Sequence, residues 1–226
     1  MSEENGDQRS GLRLAVEIFV VVLIILVLVG IGTPAIIVSP RKSDRAEAVS
    51  NAKQLALALF TFREDYGSYP CEESAIEVRN NTGSTATLGK VSSNDFFRQL
   101  IASGMMDQER PVFARTLSSR KPDNVVTGTR MLEKGEVGFA YVVSHAACKE
   151  KDFPLVITPL AKGKLQFDDR SAKKFFHGRV IVLRTDNSVV VHSLNEDGRV
   201  ILNGKDFFDP TQPFWHGIPP KVAWPE

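Results

Sequence analysis

From Ile18 to Val38 the chain runs 21 residues without a charged side chain. As a helix rising 1.5 Å per residue, such a run is roughly 30 Å long, the hydrocarbon thickness of a bilayer. A cleaved secretory signal is the weaker alternative. Its apolar region is normally about 7–15 residues and ends at a small-residue cleavage site, and Gly30 to Ala35 is a poor one. Roughly 190 residues follow, enough for one domain with its own core. Within 226 residues the formal net charge is +1, so a polybasic nucleic-acid binder is excluded, and no nucleic-acid partner is expected. Two cysteines are too few for a disulfide scaffold. The organisation read from these features is a polar leader over 1–13, a transmembrane helix over 14–38 with the lipid bilayer as partner, and a globular head over 43–226.

Charge counting gives a weak orientation. Arg9 and Arg13 flank one end of the apolar run, whereas Arg41, Lys42 and Arg45 flank the other. The positive-inside rule favours a cytoplasmic head on that count. Glu17 stands near the start of the apolar helix. An acid there either reaches water at the membrane interface or pairs with a positive group on a neighbouring copy. Both readings stay open on the residues alone.

In the head, Pro40 interrupts the first helix and Ser43 is the expected cap of a second, over 43–66. Ala48, Ala52, Leu55, Leu59, Phe62 and Tyr66 recur at helical spacing, and Gly67 is the expected stop. Residues 67–135 read as a variable, loop-rich region with one short helix, capped by Ser93 and carrying Phe96, Phe97, Leu100 and Ile101 on its apolar face. Over 136–204 the character is β, with GFAYVVSHA, PLVITPL, RVIVL and SVVVHSL as strands. Turns are expected at Arg184 to Asn187 and at Asn195 to Gly198. The tail over 205–226 carries Trp215, Trp224 and several prolines and is expected to lie over the domain surface. An N-terminal helix packed on short-connected antiparallel strands is an α+β layout.

Catalytic signals are weak. His145, His177, His192 and His216 are scattered without metal-ligand spacing, and no nucleophile motif is present. His177 and Asp186 suggest a proton-transfer pair only if a third group joins them. Asp186 next to Asn187 equally reads as turn chemistry. No enzymatic activity is expected.

An apolar helix with Glu17 early and Pro34 seventeen residues later resembles the N-terminus of type IV pilins and type II secretion pseudopilins. AEAVSNAKQLALALFTFREDYGSYP is similar to the helix-to-loop passage of the secretion-protein-G type. SSNDFFRQLIASGMMDQERPVF and KDFFDPTQPFW resemble a divergent branch of it. That resemblance implies a bacterial inner-membrane location with the head in the periplasm, opposite to the charge count. It also implies assembly through the N-terminal helix, with Glu17 and Pro34 setting helix register and other pilin-like subunits and inner-membrane secretion components as partners. The processing site departs from the family. Leu12 stands where the family has glycine, Arg13 takes the first mature position, and Gly11 is displaced by one. Cleavage and methylation therefore stay open, as does the alternative of a non-polymerising anchored binding or scaffold domain. A periplasmic head would permit a disulfide between Cys71 and Cys148, against the alternative of two separate thiols. Some pseudopilins hold calcium in a late loop, and Asn195, Asp197, Asp206 and Asp209 offer oxygen ligands of that type. No other cofactor is expected.

Overall fold

The computed structural model describes residues 16–27, 40–143 and 152–226. Contacts divide the chain into two units, Met1–Pro40 and Arg41–Glu226. Of the first unit, residues 16–27 form a helix (α1), and all of them are exposed. Among the described residues no helix is long and apolar enough to cross a membrane. About half of the expected span over 14–38 lies outside the described residues, and so do the leader and Pro34.

The second unit is α+β. Helix α2 covers Pro40–Tyr66. Its first residue is the proline, whose missing N–H costs nothing in an opening turn. The helix therefore starts three residues before Ser43, and Ser43 lies inside it rather than capping it. The expected stripe is its buried face: Ala48, Ala52, Leu55, Leu59 and Phe62 are all in the core, joined by Ala56. Tyr66 stacks on Phe62 at 4.5 Å between ring centroids. Gly67 follows with φ of 69°, a left-handed conformation that suits glycine at the end of a helix.

The stretch read as loop after Gly67 contains a second helix, α3, over Glu72–Thr82. Its start is a cysteine: Cys71 Sγ accepts from Ser74 N, and Ser74 Oγ accepts from Cys71 N. Only Ser74, Ala75 and Val78 are buried, too few to write a periodic pattern. Helix α4 spans Ser93–Ala102, and its cap is Ser92 rather than Ser93. Asp95 Oδ2 reaches back to Ser92 N, completing a reciprocal cap. Every residue from Ser93 to Ile101 is buried.

The main sheet holds β1 (Ala140–Val142), β2 (Pro154–Thr158), β3 (Arg179–Arg184), β4 (Val189–Ser193) and β7 (Val222–Ala223), in the antiparallel order β4-β3-β2-β1-β7. β5 (Ile201–Leu202) and β6 (Lys205–Asp206) form a separate two-stranded ribbon. A helix not expected in the β region, α5 (Asp169–Phe176), connects β2 to β3. Its apolar partners are few but well spaced, with Ala172, Phe175 and Phe176 buried. The expected hairpin joins β3 to β4, with Val182 opposite Val190 and Val180 opposite His192.

Side chains alternate across a strand, so this register assigns the two faces. Tyr141, Val156 and Leu183 share one, where Tyr141 meets Phe96 and Phe97 of α4. Val180, Val182, Val190 and His192 share the other, where His192 meets Phe207. Helix α4 therefore packs on the Tyr141 face. On the opposite face lies the tail, where Phe207, Phe208, Phe214 and Trp215 pack edge to face or tilted at centroid distances of 5.0–5.7 Å. The expected overlay of the tail is observed, and it goes further: β7 adds a strand to the sheet beside β1.

Candidate functional site

Glu17 lies on α1 and is exposed. The large apolar side chains around it, from Val16 to Val27, are 45–67% exposed. No face of this short helix is polar apart from Glu17 itself. Gly11, Leu12 and Arg13 of the processing site lie outside the described residues.

In the head, the residues singled out by sequence do local work. Cys71 caps α3 as described, and Cys148 lies outside the described residues. His177 is the left-handed residue that closes α5, with φ of 57°. Asp186 sits in the β3–β4 turn, where its carboxylate accepts from Ser188 N at 2.9 Å. The two thus occupy opposite ends of β3, roughly 20 Å apart at strand rise, and cannot exchange a proton directly.

The calcium candidates are likewise turn residues. Asn195 Oδ1 accepts from Arg199 N at 2.8 Å, and Asp206 Oδ1 from Phe208 N at 2.9 Å. Asp209 Oδ1 accepts from both the backbone and the hydroxyl of Thr211, which together hold its pKa below the ordinary carboxylate value. Asp197, Asp206 and Asp209 are not brought within the mutual reach that one cation needs.

Among the described residues, the acids that do converge are Glu109, Asp123 and Glu136. Sequence reading missed them because they are far apart in a polar stretch and follow no spacing rule. Glu109 and Glu136 have no exposed surface. Burying carboxylates is costly unless they are hydrogen-bonded, and both are. Glu109 Oε1 accepts from Leu132 N at 2.7 Å and Oε2 from Asn124 N at 2.9 Å. Asn124 returns the contact, its Oδ1 accepting from Glu109 N at 3.0 Å. Glu136 accepts from Glu133 N at 2.7 Å and Asp123 N at 3.2 Å. Arg120 lies 3.2 Å from Glu136 and 2.6 Å from Glu133, while Arg130 pairs with Asp123.

Burial raises the Glu109 pKa, the charges of Glu136 and Asp123 add to the rise, and the two backbone N–H groups oppose it. The hydrogen bond to Glu133 in turn raises the Arg120 pKa. Both buried carboxylates already have their oxygens engaged by backbone. They act as staples for the irregular chain between α4 and β1, standing in for a strand ladder.

A second polar knot ties the chain's last residues to α4. Arg98 donates to Met131 O and Leu132 O at 2.8 Å each, and pairs with Asp95 at 2.8 Å and Glu226 at 3.4 Å. Ser92 Oγ donates to Glu226 at 2.8 Å. A groove of about 690 Å³ in the head runs past Leu117, Arg120, Lys134, Gly138, Leu160 and Lys162. Of its cations, Arg120 is committed to Glu133 and Glu136.

No family model matches the chain, and neither the curated proteins nor the solved structures yielded a match.

Proposed function

We propose that this chain is a pilin-like structural subunit, anchored in a membrane by its N-terminal apolar stretch, with the Arg41–Glu226 unit as its head. The observation that carries the reading is α1. A helix that is apolar on all sides is at home only among lipid tails or other apolar helices, and residues 16–27 offer water nothing but Glu17. Support also comes from the head, where a long helix with a buried alanine-rich stripe precedes an antiparallel sheet. On this reading the work is mechanical rather than catalytic. Glu17 sets the axial register between neighbouring helices, because an unpaired acid in hydrocarbon is expensive.

The reading makes two separable demands. Membranes from cells producing the full chain should retain it through alkaline carbonate washing, and protease added outside spheroplasts should remove the head. Release by carbonate would refute the anchor. Glu17→Ala should leave the head folded and lower the yield of helix-to-helix crosslinks by about tenfold, the loss expected when roughly 1.4 kcal/mol of pairing is removed. Crosslinking equal to the parent would refute the register role. A non-polymerising anchored scaffold is the second reading, favoured by Leu12 in the place of the family's glycine. An intact N-terminus on the membrane-bound protein would select it.

A further inference from the structure

The face of the sheet opposite α4 holds a histidine in an unusual position for a surface ring. His192 Nε2 is buried and has no hydrogen-bond partner among the described residues. Its ring centroid lies 6.0 Å from that of Phe207, which anchors the tail. On the same face of the adjacent strand is Arg184, whose Nε is also buried without a partner and whose guanidinium sits 5.7 Å from the Phe214 ring. A permanent cation and an ionisable imidazole thus face one aromatic layer, and neither buried ε nitrogen has a hydrogen-bond partner among the described residues. We propose that the tail is an acid-released cover: protonating His192 beside Arg184 lifts Phe207 and its neighbours off β4.

The charged groups around the imidazole support this direction. From β3 it feels Arg184. From the tail it meets a phenylalanine, because Asp206 and Asp209 direct their carboxylates to Phe208 N and Thr211 instead. Lys205 donates to Thr211 Oγ1. Its own strand, Val189–Ser193, adds no charged group beside it. Burial first, and Arg184 second, therefore hold the His192 pKa below its ordinary value of 6.5.

The sign follows. With the tail docked, His192 resists the proton; with the tail lifted, it titrates normally. Docking is complete above pH 6.5 and weakens as pH falls toward the lowered docked value, by at most about tenfold per pH unit for one proton. Farther along the tail, His216 has its Nε2 3.1 Å from Asp152 Oδ1.

Trp215 gives the readout. It is fully buried, its Nε1 donates to Phe207 O at 2.6 Å, and its ring packs against Phe207 and Phe153. The full chain in detergent micelles, carrying Trp224→Phe so that Trp215 is the single indole, would be titrated from pH 7.5 to 5. The emission of Trp215 should shift to longer wavelength and its quenching by acrylamide should rise at least twofold. His192→Leu should abolish both changes. No change in the parent, or an unaltered change in His192→Leu, would overturn the proposal. Should His192→Leu fail to fold, ring NMR of the parent decides. A His192 midpoint below 6.5 that coincides with the fluorescence midpoint supports the device, and a midpoint at or above 6.5 refutes it.

Discussion

Two long irregular stretches cover this head, and they are fixed by opposite chemistry. Residues 103–139 leave α4 and reach the sheet through two short 3-10 turns, held by Glu109 and Glu136, whose buried oxygens gather four backbone N–H groups. Residues 205–226 return across the sheet held by four aromatic rings, with Gln212 Nε2 donating to three carbonyls of the β5–β6 ribbon. The first stretch solves the problem of unpaired backbone with charge, the second with apolar area and one amide. A chain with few ladder bonds can be ordered either way, but the two solutions answer differently to mutation and to pH.

The comparison breaks most visibly at Trp215. Trp215→Ala should cost about 3–5 kcal/mol, the usual range for deleting a fully buried ring, and chemical denaturation would measure it. The loss should be confined to the tail and the adjoining strands in hydrogen exchange, with the 103–139 stretch unaffected. Glu109→Ala strips two buried N–H groups of their acceptor and should cost about 2–4 kcal/mol. Protease cleavage should then appear near Asn124 and Leu132, while Trp215 stays buried. Cleavage confined to the tail would refute this division.

Gly138 tests how tightly the first stretch is seated. A Cβ there would lie 2.0 Å from Ala114 O and 2.5 Å from Ala114 N. Gly138→Ala should therefore destabilise by about 1–3 kcal/mol through forced backbone movement, read as a lowered thermal midpoint. Asn124→Ala removes the single return contact to Glu109 N and should cost about 1 kcal/mol.

The gentlest probe is pH. Because the folded pKa of Glu109 is raised, its contribution is fully present below the unfolded value of 4.5 and is lost as pH rises through the raised value. Mild acid should therefore tighten the carboxylate-held stretch while it loosens the tail. Amide-exchange protection compared between pH 7.5 and 5.5, after correction for intrinsic rates, should move in opposite directions in the two regions. Parallel changes would remove the contrast.

Legibility in the sequence followed the same divide. Regular elements with a repeating apolar face were readable: the α2 stripe, α4 and the β3–β4 hairpin. Elements that announce themselves by neither period nor standard cap were not. α3 begins at a cysteine and buries only three residues. α5 is eight residues long and sits among strands. The carboxylate staples were invisible for a deeper reason. Glu109 and Glu136 lie 27 positions apart, and only the folded path of the chain between them brings their partners close. In the sequence His192 is one of four scattered histidines; its register opposite Val180, facing Phe207, is a property of the hairpin and tail together. Turn residues such as Asp186 and Asn195 were read correctly as turns because their chemistry is local.

The bend that follows α2 has a mechanical consequence. Tyr141 in β1 donates its hydroxyl to Pro70 O at 2.9 Å, and Tyr69 donates to Thr185 O, just past β3, at 3.4 Å. Two phenols therefore rivet the same pair of residues to different strands. A tug along the long helix arrives at both at once and is shared as shear across the sheet, so the head should yield as a block instead of unzipping from one end.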